Sequence, residues 1–467
     1  MSSSTAVKPD LGNAPVGKLL FKLAVPCITA QIINLLYNVV DRIYIGHIPS
    51  AGSAALTGVG VTMPIITAVA AFAALICYGA APRAATALGQ QDKNAAEKIM
   101  GGSFSLLCIV AVILTIVVEI FKKPLLLSFG ASEATLPYAL QYIGIYALGT
   151  LFVQISLGMN TFINTQGYAN WGMATVIIGA VLNIILDPLF IFVFGMGVQG
   201  AALATIISQG VSALFVLWFL RSGRSYLNLT LQSMHIDWKL ILPCLALGLS
   251  PFIMQITESL LTICFNSSLL RYGGDIAVGS MTILASVMQF AMLPLQGLTQ
   301  GAQPILSYNL GAAKEERILK TFRLLLISCI IYATALWALC ELAPGLVASM
   351  FTADGELIKY CEWSLRIYMF GCAIFGVQIA CQQTFVALGN AKTSLFLAVF
   401  RKIILLIPLI FILTTFIPDK VFAVFLAEPI SDIVAALTTA TLFFRYKRNK
   451  LPELLEKNKE ALEAKAA

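Results

Sequence analysis

Asn183 to Phe190 reads NIILDPLF, a carboxylate inside a long apolar run with an asparagine one helical turn before it and a proline directly after. Burying an ionised aspartate at the centre of a membrane helix costs about 2.5–3.5 kcal/mol, so such a residue is expected to face a cavity or a partner. A second stripe has the same character. Asn34, Asn38 and Asp41 stand at i, i+4 and i+7 on one helix face, as Asn183 and Asp187 do at i and i+4. Carboxylate and amide oxygens suit a small hard cation such as Na⁺, by analogy with calcium ligation. Two carboxylates close together in a low dielectric cannot both ionise cheaply, so the same pair can instead hold a proton. Both chemistries make the charge of the pair depend on a bound cation, and the residues leave the two open.

Depth counting adds members to this layer. At about 1.5 Å per residue from Trp171, Asp187 stands roughly 24 Å along its helix, in the outer half. Tyr142 and Thr205, on the helices before and after, fall at a similar level, and Asp41 lies high on the first helix. Asn34 lies about 10 Å below Asp41, and Asn160, five turns along Tyr142's helix on the same face, lies near the inner side. Pro188 leaves the carbonyl of Ile184 without its intrahelical donor and favours a bend. Of the other intramembrane charges, Glu258 has Arg401 and Lys402 as its expected partners, while Glu119 and Glu341 lie near span ends, where they can snorkel. Met159, Met173, Met254, Met281, Met288 and Met292 read as core or lipid-facing residues, although flexible thioethers would also suit varied greasy ligands.

The elements that hold these residues must be membrane helices. Of 467 residues 59% are hydrophobic and 11% charged, with a mean hydropathy of +0.87, whereas soluble proteins carry about 25% charged residues. Apolar runs long enough to cross a bilayer recur twelve times, with expected edges 19–45, 56–81, 99–121, 136–163, 171–194, 201–220, 238–270, 276–298, 318–342, 364–388, 393–416 and 421–444. Loops on the side of the N-terminus hold about eighteen Lys and Arg against about seven on the other, so the positive-inside rule puts both termini in the cytoplasm of a multi-pass cell-membrane protein. Residues 1–17 and 447–467 are expected to be cytoplasmic tails, the latter a short solvated helix or disordered. The opening eighteen residues lack a signal-peptide pattern, so the first helix is expected to remain.

The chain also repeats itself. PRAATALGQQDKNAAEK at 82–98 and PILSYNLGAAKEERILK at 304–320 share Pro, Leu-Gly and the final Lys at a shift of 222 residues, and GYAN at 167 and GNAK at 389 share the same shift. Six spans per half give halves of equal orientation about an axis along the membrane normal. The expected fold is an all-α integral membrane protein of two pseudo-symmetric six-helix lobes, 18–223 and 224–446, around a central cavity. Ten scattered cysteines show no metal-ligand spacing, and Walker, GxSxG and HExxH motifs are absent. Nucleic acid is not an expected partner of the +7 charge, because the basic residues follow membrane topology.

AVPCITAQIINLLYNVVDRIYIGHI, LGQQDKNAAEKIMGGSF and NTQGYANWGMATVIIGAVLNIILDPLFIFVFGMGVQGAALATIISQ, with the twelve-span length, resemble the multidrug and toxic compound extrusion (MATE) family, its DinF-like and MepA-like branch most strongly. The resemblance covers about residues 15–446. It implies a secondary antiporter without cofactor, expelling amphipathic, often cationic drugs in exchange for Na⁺ or H⁺. It also implies a cation site at Asp41, Asn183, Asp187 and Thr205, with Tyr142 beside it. Cavity residues carry over to Asn34, Tyr37 and Asn160, and Asn38 joins them on its stripe. Glu258, with Arg401 near it, matches half of a second-lobe site, but the tenth span has no acid to complete one. The partners expected are small drug-like molecules and the bilayer, with the chain a monomer. Rival readings are a lipid-linked precursor flippase, which would line its cavity with basic residues, and a membrane-embedded enzyme, which would need a nucleophile and base or a metal cluster.

Overall fold

The computed structural model describes residues 10–49 and 52–466. The first nine residues of the expected N-terminal tail, Lys8 among them, lie outside the described residues. In a bilayer every backbone amide must be satisfied within its own segment, and the apolar runs accordingly form helices. These are α1 (Val16–Gly46), α2 (Gly52–Gly89), α3 (Lys93–Ser128), α4 (Leu136–Leu148 and Thr150–Thr165), α5 (Ala169–Val193) and α6 (Val198–Arg221). The second half supplies α7 and α8 within one run, Trp238–Gly311, then α9 (Glu315–Leu342), α10 (Gly355–Tyr368 and Cys372–Ala387), α11 (Ala391–Phe416) and α12 (Lys420–Ala466). The long run breaks at Gly274, whose φ of 68° is left-handed. With α4 bent by 58° and α10 by 49° each crossing once, twelve spans form among the described residues.

The repeat is written into the backbone. Gly149 at the bend of α4 and Gly371 at the bend of α10 are 222 residues apart, as are the left-handed Gly167 (φ 89°) and Gly389 (φ 75°). Gln91 (φ 58°) and Ala313 (φ 53°), the only non-glycine residues with positive φ among those described, share that offset. Each turns the chain between two helices of its own lobe: α2 into α3, and α8 into α9.

The lobes meet most closely in the half of the bundle that carries the termini. A Cβ on Gly248 would overlap the carbonyl of Leu75, one on Gly79 the carbonyl of Cys244, one on Gly311 the carbonyl of Thr86 and one on Gly89 that of Tyr308. Gly297 and Gly301 admit the backbone of α1 at Ile28 and Ala24. Small residues allow such close helix approach in a membrane. The chain ends cross the same seam. Arg317 donates to the carbonyls of Leu11 (3.1 Å) and Ala14 (2.8 Å), fastening the start of the first lobe to the second.

Several helices overrun the apolar windows expected for them, and α12 departs most. It continues to residue 466, well past the expected end of its span, because Leu451 and Leu455 are buried against the core at the end of α8. Asn458 accepts from Gln90 (2.8 Å) and donates to the carbonyl of Leu310 (2.8 Å), and Lys465 pairs with Asp92 (2.9 Å). Asp92 also caps α3 by accepting from the Ala95 amide (2.9 Å), and that bond, with Lys465, holds its carboxyl below the usual range. The stability it adds is therefore present above the ordinary carboxylate pKa and fades as pH falls through the lowered one.

Gly248→Val is expected to disfavour the closed seam by about 1–3 kcal/mol, the usual cost of overpacking. Peptide-resolved maleimide labelling should then rise at Cys244 and Cys77, both buried beside the seam. Unchanged labelling would show that the glycine contact does not hold the lobes together.

Candidate functional site

Asp41 (7% exposed) and Asp187 (0%) come together in the first lobe. Their carboxyls face one another closely enough for a proton to be shared between them. The backbone explains the placement. After Pro188 the turns of α5 widen into a π-helical stretch, Leu189–Val193. The chain then reverses through Gly195 and Gly197, both left-handed, and Gly200 lets α6 close on the backbone of Phe190 and Ile191. Thr205 is thereby carried to Asn183, whose amide donates to Asp187 Oδ1 (3.2 Å) and Thr205 Oγ1 (3.5 Å). Tyr142, buried and stacked on Tyr146, faces Thr205.

Three oxygens of this layer, Asp41 Oδ1, Asp187 Oδ2 and Asn183 Oδ1, are buried without a hydrogen-bond partner. Buried acceptors are rarely left unmatched, so a cluster of three at one level marks a place for a donor or a cation. The set provides two acids and neutral oxygens. No group of three or more His, Cys, Asp or Glu able to hold a metal occurs among the described residues.

Beside the layer lies a cavity of about 440 Å³ between the lobes. Asn34, Tyr37, Asn160, Asn183 and Thr205 line it, whereas Asp41 and Asp187 stand behind that wall. Asn38 is turned out of the lining, and its amide donates to the carbonyl of Asn34 (2.6 Å). Tyr37 is within hydrogen-bonding reach of Gln209 and close enough to both aspartates to feel their charge, so it links the acid layer to the cavity. From the second lobe come Gln296, Gln300 and Gln303, spaced i, i+4, i+7 on α8, and Gln31 of α1 donates to Gln300 across the seam (3.2 Å). Sequence reasoning passed over this amide stripe, although its spacing is that of Asn34, Asn38 and Asp41. Met173, Met254 and Met292 line the cavity, while Met159 and Met281 are core. Glu258 is the one charged residue among the described lining residues.

In the second lobe Glu258 and Arg401 go separate ways. Lys402, its side chain 4% exposed, pairs with the 63% exposed Glu258 and donates to the carbonyl of Met254 (3.0 Å). Arg401 turns instead to Asp432 Oδ1 (2.8 Å from Nε) and Glu428 Oε1 (3.0 Å), with the Phe375 ring 4.4 Å away. Both basic residues sit in a π-helical stretch, Phe400–Leu406, just before Pro408. Glu428 and Asp432 were missed in the sequence, although EPISD repeats the signal of NIILDP: polar groups one turn apart, beside a proline, in an apolar run.

A repeat-built, two-lobed helical bundle around a central polar cavity, with a layer of buried acids behind its wall, has the architecture of a membrane transporter. The chain belongs to the MatE family, whose model matches residues 26–189 and again 251–412, once in each half. It is a multi-pass membrane transporter and not an enzyme. It is 23% identical over 430 residues to the multidrug export protein MepA of Staphylococcus aureus, covering 91% of this chain and 94% of that protein. The fold superposes with a TM-score of 0.88 on a structure described as the outward-facing conformation of a multidrug resistance MATE family transporter of the MOP superfamily. That structure is 24% identical, with 97% of this chain and 99% of the other covered. A MATE structure described as being in the bent conformation matches with a TM-score of 0.86 at 24% identity, over 95% and 97% of the two chains.

Removing Arg401 would leave two buried acids opposite no arginine, so Arg401→Met is expected to cost about 3–5 kcal/mol. Thermal unfolding in detergent measures this, and a melting temperature equal to wild type would refute a structural role for the cluster.

Proposed function

We propose that the protein exports amphipathic, cationic small molecules across the cell membrane in exchange for H⁺ or Na⁺, working as a monomer with both termini in the cytoplasm. The observation that carries this reading is the trio of unmatched oxygens around Asp41 and Asp187, placed directly behind the cavity wall. Uptake of a cation there alters the hydrogen bonding of Asn183, Thr205 and Tyr37, which face the cargo. α1 is suited to pass the change on, because it packs along α5 in one lobe and along the α7–α8 run in the other, with Pro26 inside the seam contact, between Ala24 and Ile28. Bending at Pro26 would couple the acid layer to the seam.

A neutral, amide-lined cavity with a single acid suits a greasy cation. The flippase reading is disfavoured, since no Lys or Arg is among the described lining residues to receive a pyrophosphate. Because the two carboxyls reach one another directly, one proton completes the layer, and a pH gradient alone is expected to drive dye efflux from liposomes. Efflux driven by Na⁺ at uniform pH would instead assign the layer to Na⁺, with Asn183 Oδ1 and Thr205 Oγ1 as further ligands. Under either gradient Asp41→Asn and Asp187→Asn should insert normally and reduce efflux to the level of protein-free liposomes. Wild-type efflux by both variants would refute the proposal.

A further inference from the structure

A second cavity, of about 910 Å³, lies at the end of the bundle that carries the termini, outside everything described for transport. It straddles the seam. Arg83 comes from α2, Lys392 from α11, and Arg445, Lys450 and Lys457 from α12 and its extension, against one acid, Glu453. Lys450 pairs with Glu453 (3.2 Å), and the other four cations have no carboxylate partner among the described residues. Two polar atoms that line the cavity are buried with no hydrogen-bond partner: Arg83 Nε and the hydroxyl of Tyr446, a residue only 7% exposed. Four unbalanced positive charges and two orphaned polar groups around one space specify an anion with several oxygens.

The remaining walls say where that anion comes from. Ile99, Leu240, Leu442 and Leu454 supply an aliphatic side. Phe444, 65% exposed, is the last apolar residue of α12 before Arg445, and Trp238, 57% exposed, opens α7 two residues before Leu240. An exposed aromatic at the start of a span and a switch from apolar to basic at the end of another both mark the headgroup level of a bilayer. A basic pocket between helices at that level, with an aliphatic flank, suits a phospholipid phosphate.

We propose that this cavity is a phosphate site filled by the headgroup of an anionic phospholipid, which enters between α2, α11 and the extension of α12. Its phosphate oxygens accept from Arg83, Arg445 and the Tyr446 hydroxyl, and its glycerol and upper acyl carbons lie on Leu240 and Leu442. Because the ligating groups come from both lobes, the bound lipid holds the seam closed, alongside the contacts of Asn458 and Lys465 with Gln90 and Asp92.

The test uses the full-length protein, washed in neutral detergent and offered vesicles of equal phosphatidylglycerol and phosphatidylcholine, with retained lipid counted by native mass spectrometry. Wild type should retain phosphatidylglycerol selectively. The double variant Arg445→Gln/Lys457→Gln should lose about thirtyfold of that selectivity, the effect of two basic residues at a headgroup surface. Lys447→Gln/Lys459→Gln, an equal loss of charge at positions that do not line the cavity, should keep it. Equal loss in both double variants would reduce the effect to general surface charge and overturn the site. Inorganic phosphate supplies the second arm. A rise in melting temperature with phosphate in wild type but not in the cavity variant, without lipid selectivity, would overturn the lipid source and assign the cavity to a soluble phosphate. Absence of both the lipid selectivity and the phosphate effect would overturn the phosphate site itself.

Discussion

A charge buried in hydrocarbon must find a partner, and that single requirement organises this molecule. The two lobes meet it differently. In the second, two basic residues answer three acids: Lys402 sits on Glu258, and Arg401 lies between Glu428 and Asp432. In the first, Asp41 and Asp187 form no ion pair among the described residues, and they have each other and the amide of Asn183, which donates to Asp187. One lobe largely neutralises itself. The acids of the other have no such pairing, and they stand immediately behind the cavity wall, where the proposed cation exchange would neutralise them.

The frame around these clusters is symmetric and the seam between the halves is tight. Glycines at 79, 89, 248 and 311 bring backbones into contact where the lobes meet, and each end of the described chain is fastened to the opposite half. Any motion that opens the lobes at this seam would have to part backbone contacts that leave no room for a side chain. α1 lies along both lobes, so a change at Asp41 acts on a helix that is also part of the seam.

How much of this was legible follows from the same physics. Polar residues in apolar runs announce themselves, so Asp41, Asn183 and Asp187 could be found and their level counted along the helices. Thr205 and Tyr142 followed because rise per residue is fixed. The partner of Glu258 was narrower than it looked, since two adjacent basic residues on a widened helical turn point to different neighbours. The amide stripe of α8 escaped because neutral glutamines carry little burial cost and raise no alarm. The extension of α12 reads as solvated tail because only Leu451 and Leu455 are buried along it, and what they bury against is set by tertiary structure. The bends at Gly149 and Gly371 depend on packing that no local pattern specifies.

The matched left-handed corners at Gln91 and Ala313 have a further consequence. A strained backbone shape found twice at one offset, on side chains that do not favour it, is what a duplicated ancestor would leave behind. The molecule thus carries its own sister sequence, and its two halves can be read against each other as relatives. At that offset Asp187 stands opposite Leu409, and Asp432 opposite Gly210. Specialisation after the duplication is then written as acid facing apolar or empty, which separates what the ancestral half needed in order to fold from what each descendant acquired.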